Sequence, residues 1–474
     1  MVAGAARFAV LHPYWTFWEH TAPDGYRSDR LAQVERWVDE VRGDAEITGV
    51  YEVASADDGR AVGRALAEQR VDAVVVVQSM AVPPIYALEV LSGVGDLLPL
   101  VVWALQEHGT VETGFSHGEI TTQGATVGAP MLTNALSRQG RVYTLEVGHA
   151  GDPAHLRRVR ESVAAAVAAG RIRRARLGRV GRPLDGYMHV DVDPDALREA
   201  IGVTLIDIDP AEVLGRYRGV PSSRVRALES EIRTGWDVAE DAAHGEALLR
   251  SLRVALALED IVDEHGLDGG AMNCHVPEIR FADEIGVTPC FGLGRLTSAG
   301  IPWTCTGDVV TAVAMLTTRA LGGAALYHEI EAIDYRTGEV VIANSGEHDL
   351  AWLAPGERPR LVRNGWFCGQ DPRCGVCAAI EPAPGPATLV GFTPHPTARH
   401  GFRYIVATGE LTERRFPETG TANGAFRFGS GPVEEAWLRW ADAGVNHHSS
   451  ASPGDLARSV GLVARHLGVE CVAV

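Results

Sequence analysis

The chain has no run of Lys or Arg along any one face, and acidic residues outnumber basic ones by 61 to 43, for a net charge of -18. That balance argues against nucleic acid or an anionic membrane as a partner and leaves small molecules as ligands. No uninterrupted apolar stretch approaches the ~20 residues that span a bilayer, and the start, MVAGAARFAVLHPYW, has no cationic region ahead of a long apolar run. A cytoplasmic, unprocessed chain is expected. Cysteine is scarce as well: seven residues, odd in number and widely spread, fit reduced thiols better than a disulfide frame. No GxGxxG follows the first expected strand and no GxxxxGK(S/T) occurs anywhere, so nucleotide binding by the usual Gly-rich loops is unsupported.

What is present reads as an α/β protein. At ~100 to 200 residues per domain, 474 residues suggest about three domains. From Arg7 to about Gly170, runs such as FAVLH, ITGVYEV, VDAVVVVQS and PLVVWALQ alternate with helical patterns. Continuous Val/Ile/Leu runs are what burial on both faces of a parallel sheet requires, so residues 1–170 are expected to be doubly wound. Residues 171–323 repeat the style, with GVTLIDID, a long helix over GEALLRSLRVALALEDIVDEHG, the short run GGAMNCH and a helix from Asp308 to Leu321. Residues 324–474 change to short alternating runs with turns and two closing helices, which predicts an antiparallel, barrel-like β domain with a helical tail. Leu456, Val460, Val463 and Leu467 stand at helical spacing in the last helix and are predicted core.

Several residues could carry chemistry. In the hairpin Ala325 to Ser345 the expected turn, Tyr335 to Gly338, sets Asp334 opposite Glu339, and counting back sets Glu329 opposite Asn344; an acid and an amide would share a face. Period-2 alternation also puts Tyr327 and Glu331 there, as a solvated face would. His447 and His448 follow a helix ending at Gly444 and are expected on a loop. Thr306 and Asp308 begin a helix, where either could cap backbone N–H groups. The spacing C-x5-C-x2-C over Cys368, Cys374 and Cys377 lacks an evident fourth ligand, which argues against structural zinc. At the ends of the first, third and fourth strands stand His12, Tyr14 and Trp15, then Gln78, then Gln106, the wall of a possible cleft.

The order of segments resembles the L-fucose isomerase and L-arabinose isomerase superfamily over nearly the full chain. The likeness is strongest in TCTGDVVTAVAMLTTRALGGAALYHEIEAID, in VVIANSG and in WADAGVNHHSS. The resemblance implies two α/β domains followed by a β-rich one, a divalent cation, usually manganese, and aldose–ketose interconversion through an enediol. It places Glu329 and His448 as metal ligands; Asp308, the only other carboxylate in the matched segment, is by elimination the candidate third ligand and proton-transfer base beside Glu329. Substrate contacts are expected from Asn344, His117, Trp15, Gln78, Met188, Thr306 and His447, with His117 reaching the site of a neighbouring subunit in a trimer or hexamer. One departure stands out: Thr306 occupies the position of the family's other acidic residue, and a hydroxyl cannot take a proton at neutral pH. An epimerase or lyase on a related sugar, or a non-catalytic sugar-binding protein, are the alternatives.

Overall fold

The computed structural model describes residues 5–365, 374–419 and 421–474; Cys368 lies outside them. The protein is mixed α/β with parallel sheets, and the chain divides into two compact units. One comprises Gly4–Arg171 with Leu462–Gly468, the other Ile172–Gly461 with Val469–Val474. Among the described residues no helix is long and apolar enough to cross a membrane.

The first unit is built on five parallel strands, β1 (Arg7–Pro13), β2 (Glu46–Val53), β3 (Ala73–Gln78), β4 (Leu100–Gln106) and β5 (Thr144–His149), in the order β2-β1-β3-β4-β5. Alternation along each strand divides its apolar residues between two cores. Phe8, Val10, Val75, Val77, Val101 and Trp103 pack on one face, while Ala9, Leu11, Val74, Val76, Leu100 and Val102 pack on the other. Each such Val or Leu contributes on the order of 1.5–3 kcal/mol as an upper estimate. The crossover helices carry their own start signals: Ser55 caps Ala56–Glu68 by accepting from Asp58 N at 3.0 Å, and Ser116 with Glu119 forms a reciprocal capping box.

The second unit contains three sheets. Strands β6 (Arg176–Val180), β7 (Thr204–Ile208), β9 (Gly269–Met272) and β10 (Trp303–Cys305) pair in parallel in the order β10-β9-β6-β7. A small sheet joins β8 (Asp237–Val238), β13 (Arg360–Arg363) and β14 (Val376–Ala379). The third sheet is the scaffold of the candidate site. Its strands β11 (Leu326–Asp334), β12 (Glu339–Ala343), β15 (Gly385–Pro394), β16 (Phe402–Leu411), β17 (Asn423–Phe428), β18 (His448–Pro453) and β19 (Glu470–Ala473) run in the order β15-β18-β11-β12-β17-β16-β19. β15 also pairs with β16 over its whole length.

Two details of this sheet correct the expected register. The turn lies where the sequence puts it: Asp334 accepts from the backbone N–H groups of Arg336 and Thr337, and Gly338 takes φ +69° to close it. Asp334 does pair with Glu339, but a bulge between Ile330 and Ala332 inserts Glu331 as an extra residue. Glu329 therefore faces Ala343 rather than Asn344. His448, expected on a loop, instead opens β18, where it lies directly across from Glu329.

A candidate metal and proton-transfer site

The carboxyl end of β10 runs into Cys305-Thr306-Gly307-Asp308, and this turn is strained. Thr306 sits at φ +55°, costly for a β-branched residue. Gly307 follows at φ +80°, and a Cβ there would come within 3.0 Å of the Pro183 backbone, so only glycine fits. The turn delivers Asp308 as the N-cap of the helix Val309–Gly322 with no solvent exposure.

Four hydrogen bonds converge on that carboxylate. Oδ1 accepts from Thr311 N at 2.9 Å, while Oδ2 accepts from Thr311 Oγ1 at 2.7 Å, Asn446 Nδ2 at 2.6 Å and His448 Nδ1 at 2.8 Å. Capping alone would need only the first. The last two orient imidazoles. His448 donates through Nδ1 to Asp308, and its Nε2 lies 3.1 Å from Glu329 Oε1. Asn446, fixed by giving its amide hydrogen to Asp308, turns its oxygen to His447 Nδ1 at 2.8 Å. That nitrogen carries the proton, so the other nitrogen of His447 keeps its lone pair.

The electrostatics follow from this geometry. Burial disfavours the charged form of His448, but hydrogen bonds to Asp308 and Glu329 outweigh it and push the imidazole up to about 9. Burial works against the Glu329 carboxylate too, yet His448 and then His447 hold it below its ordinary range. His447 goes the other way, down to about 4, through burial and the charge of His448. Glu331, the bulge residue, neighbours Glu329 along β11. Its own carboxyl is raised, first by partial burial and then by the charge of Glu329. The result is a carboxylate–imidazolium–carboxylate line flanked by a neutral imidazole and by a carboxyl, Glu331, whose proton affinity is raised.

Glu329, His447 and His448 each offer a ligand atom within 4.8 Å of the others. A carboxylate with two imidazoles is a donor set suited to a divalent first-row cation, and the Asp308–His448 contact is the carboxylate–histidine support that metal-bound imidazoles ordinarily have. The residues therefore fit a cation, with His448 exchanging its Nε2 proton for it. Asp308 stands outside this group of ligand atoms; its oxygens are taken by donors from Thr311, Asn446 and His448.

The remaining expected site residues divide by unit. Asn344 is buried and spent locally: its amide donates to Tyr327 O at 3.1 Å and accepts from Gly346 N at 2.9 Å. Thr306 is half-buried and donates to Cys305 O. Met188 is 84% exposed, while its neighbours, the half-buried Tyr187 and the exposed His189, reach His447; His189 Nε2 lies 3.1 Å from His447 Nδ1 and the Tyr187 ring 5.8 Å from that imidazole. Sequence reasoning missed both, although the alternation in Tyr187-Met188-His189 is the signal that could have found them. Tyr327, its ring centroid 4.8 Å from that of His448, completes the lining.

Trp15, Gln78 and His117 belong to the other compact unit. Trp15 stacks on Phe17 at 4.5 Å. Gln78 is buried and donates to Met80 O at 2.7 Å, holding its own turn. His117 is exposed at the start of a five-residue helix. His12 and Tyr14, expected on a cleft wall, are fully buried; burial, then Arg30, lowers His12 to about 3, so it is neutral beside Ser79 at 3.2 Å.

Neither a protein-family model nor a curated protein matches the chain. Among solved structures, a solute-binding protein of an ABC transporter from Burkholderia multivorans aligns over 58% of this chain and 81% of that one, at 8% identity and a TM-score of 0.16. A likeness at that level carries no argument.

Proposed function

We propose that the chain is a divalent-metal-dependent aldose–ketose isomerase, related to the L-fucose and L-arabinose isomerases and acting on a small sugar or sugar derivative through an enediol. The observation that carries this reading is the convergence of Glu329, His447 and His448, with Asp308 orienting both imidazoles. The pairings that lead from β15 through β18, β11, β12, β17 and β16 back to β15 support reading the third sheet as a closed barrel, the β-rich domain the resemblance implies.

In this reading Glu329, His448 and His447 hold the cation, which supplies Lewis acidity to a carbonyl oxygen and its neighbouring hydroxyl. Asp308 is a positioning residue and is no longer the base, because donors already occupy both of its oxygens. Proton movement between adjacent carbons falls to the neighbouring carboxyls Glu329 and Glu331, one lowered and the other raised in proton affinity. Tyr187 and His189 line the approach. A homo-oligomer with manganese as the cation belongs to the same proposal.

The hydroxyl at Thr306, where the resembling family carries an acid, favours a second reading: a sugar-binding protein of the same fold without turnover. Solvent deuterium separates the two. With manganese and a panel of aldoses, deoxy sugars and sulfo or carboxy sugars, the isomerase forms ketose carrying deuterium at C1 and, by the reverse step, aldose carrying deuterium at C2. Saturable sugar binding with no exchange would leave only the second reading.

A further inference from the structure

A second buried cluster stands beside the strained turn, and the proposed isomerisation does not use it. Cys305 ends β10 and pairs with Met272 of the neighbouring β9; Cys274 lies two residues beyond Met272. Adjacent parallel strands thereby bring the two thiols near one another, and each is the leading influence on the other's proton affinity. Both are reduced, Cys274 buried and Cys305 partly exposed. Cys305 first, then His275 and Arg280, bring the Cys274 thiol down to about 5 against the opposing effect of burial.

Glu347 joins this pair in an unusual state. It is 1% exposed, and among the described residues neither carboxyl oxygen has a hydrogen-bond partner in sound geometry. Its polar neighbours are the thiols of Cys305 and Cys290. Burial pushes the carboxyl up to about 7. The turn that carries it is rigid: Asn344 accepts from Gly346 N, His348 Nδ1 donates to Gly346 O, and a Cβ on Gly346 would fall 2.6 Å from Cys377 Cβ. A buried carboxyl without partners costs several kcal/mol, and such groups gather where their reactivity is used.

We propose that Cys274 and Cys305 are a peroxide-reactive dithiol, with Glu347 as the base for its closure. The Cys274 thiolate attacks one oxygen of a hydroperoxide; the O–O bond breaks, Cys274 becomes a sulfenic acid and the released alkoxide or hydroxide takes up a proton. Cys305 sulfur then attacks Cys274 sulfur, forming the S–S bond as the S–O bond breaks. The Cys305 proton passes to the Glu347 carboxylate, and the departing hydroxide is protonated to water. Two thiols lose two electrons and two protons, and the peroxide is reduced to an alcohol or water and one further water. Because Cys305 directly precedes Thr306, the disulfide would also tie the strained turn to β9.

The test is oxidation of the full chain by stoichiometric hydrogen peroxide, alkylation of the remaining thiols, and peptide mass analysis without reduction. The expected product is a Cys274–Cys305 linked peptide 2 Da lighter than the two thiol peptides. Cys305→Ser should leave a sulfenic acid on Cys274 that dimedone traps, Cys274→Ser should leave Cys305 open to alkylation, and Glu347→Gln should let the sulfenic acid accumulate before the disulfide closes. Recovery of both cysteines as alkylated thiols in the wild-type chain, or a link between other cysteines, overturns the proposal whether or not any variant folds. Closure at the wild-type rate in Glu347→Gln removes Glu347 from it.

Discussion

Asp308 and Glu347 are equally buried carboxyl groups of the same unit, and they differ in everything else. Asp308 receives hydrogen bonds from Thr311, Asn446 and His448; Glu347 has none in sound geometry among the described residues. The comparison teaches that burial alone does not assign a role. A carboxylate with donors on both oxygens fixes the geometry of others, here two imidazoles, and is held away from a substrate's proton by those bonds. An unsaturated one, surrounded by thiols, keeps its proton chemistry available at the expense of stability.

The largest effect should come from breaking the saturated member. Asp308→Ala strands an imidazolium and an amide and removes an N-cap, so urea unfolding should register a loss of about 3–5 kcal/mol. The unsaturated member should behave in the opposite sense. Its carboxyl titrates at about 7 in the fold, above its ordinary 4.5, so the folded state binds the extra proton between those values. Stability should fall as pH rises through that window, by roughly 3 kcal/mol in total. Glu347→Gln should abolish this slope while leaving the acid-side stability nearly unchanged, measured by urea midpoints from pH 4.5 to 8.5.

A smaller effect sharpens the comparison from the metal side. His448, raised to about 9, must lose its Nε2 proton to take a cation, so apparent manganese affinity should climb about tenfold per pH unit below that value. The same shift makes the sign for folding clear. A histidine raised in the fold contributes stability present below its ordinary 6.5 and lost as pH passes about 9. Met188 gives the smallest effect. Its side chain points to solvent, so Met188→Ala should change stability by less than about 0.5 kcal/mol and leave metal affinity untouched, whereas His189→Ala should alter it.

These contrasts also explain what was legible in the sequence. The parallel sheet of the first unit was, because burial on both faces writes itself as unbroken Val and Leu runs in β3 and β4. The turn Tyr335 to Gly338 was legible from its Asp and Gly. The register beyond it was not, since Glu331 is extra in β11 and a bulge leaves no compositional mark. β6 escaped notice because RLGRV carries two arginines; Arg179 is buried only because Asp207 and Asp191 meet its guanidinium. Glu329, His448 and Asp308 could be nominated singly, but the task of Asp308 depends on Asn446, 138 positions away. The thiol cluster was equally hidden. Close spacing singles out Cys374 and Cys377, whereas Cys274 and Cys305 are brought near one another by strand adjacency.

The central claim is that Glu329 and His448, set in place by Asp308, hold a divalent cation. Manganese binding followed by electron paramagnetic resonance and calorimetry tests it most directly. The account predicts one ion per chain with nitrogen couplings from imidazole, at least a hundredfold weaker binding in Glu329→Gln and His448→Gln, and a loss of about 10–100-fold in Asp308→Asn. Wild-type affinity in both ligand variants, or bound manganese without imidazole coupling, would contradict it.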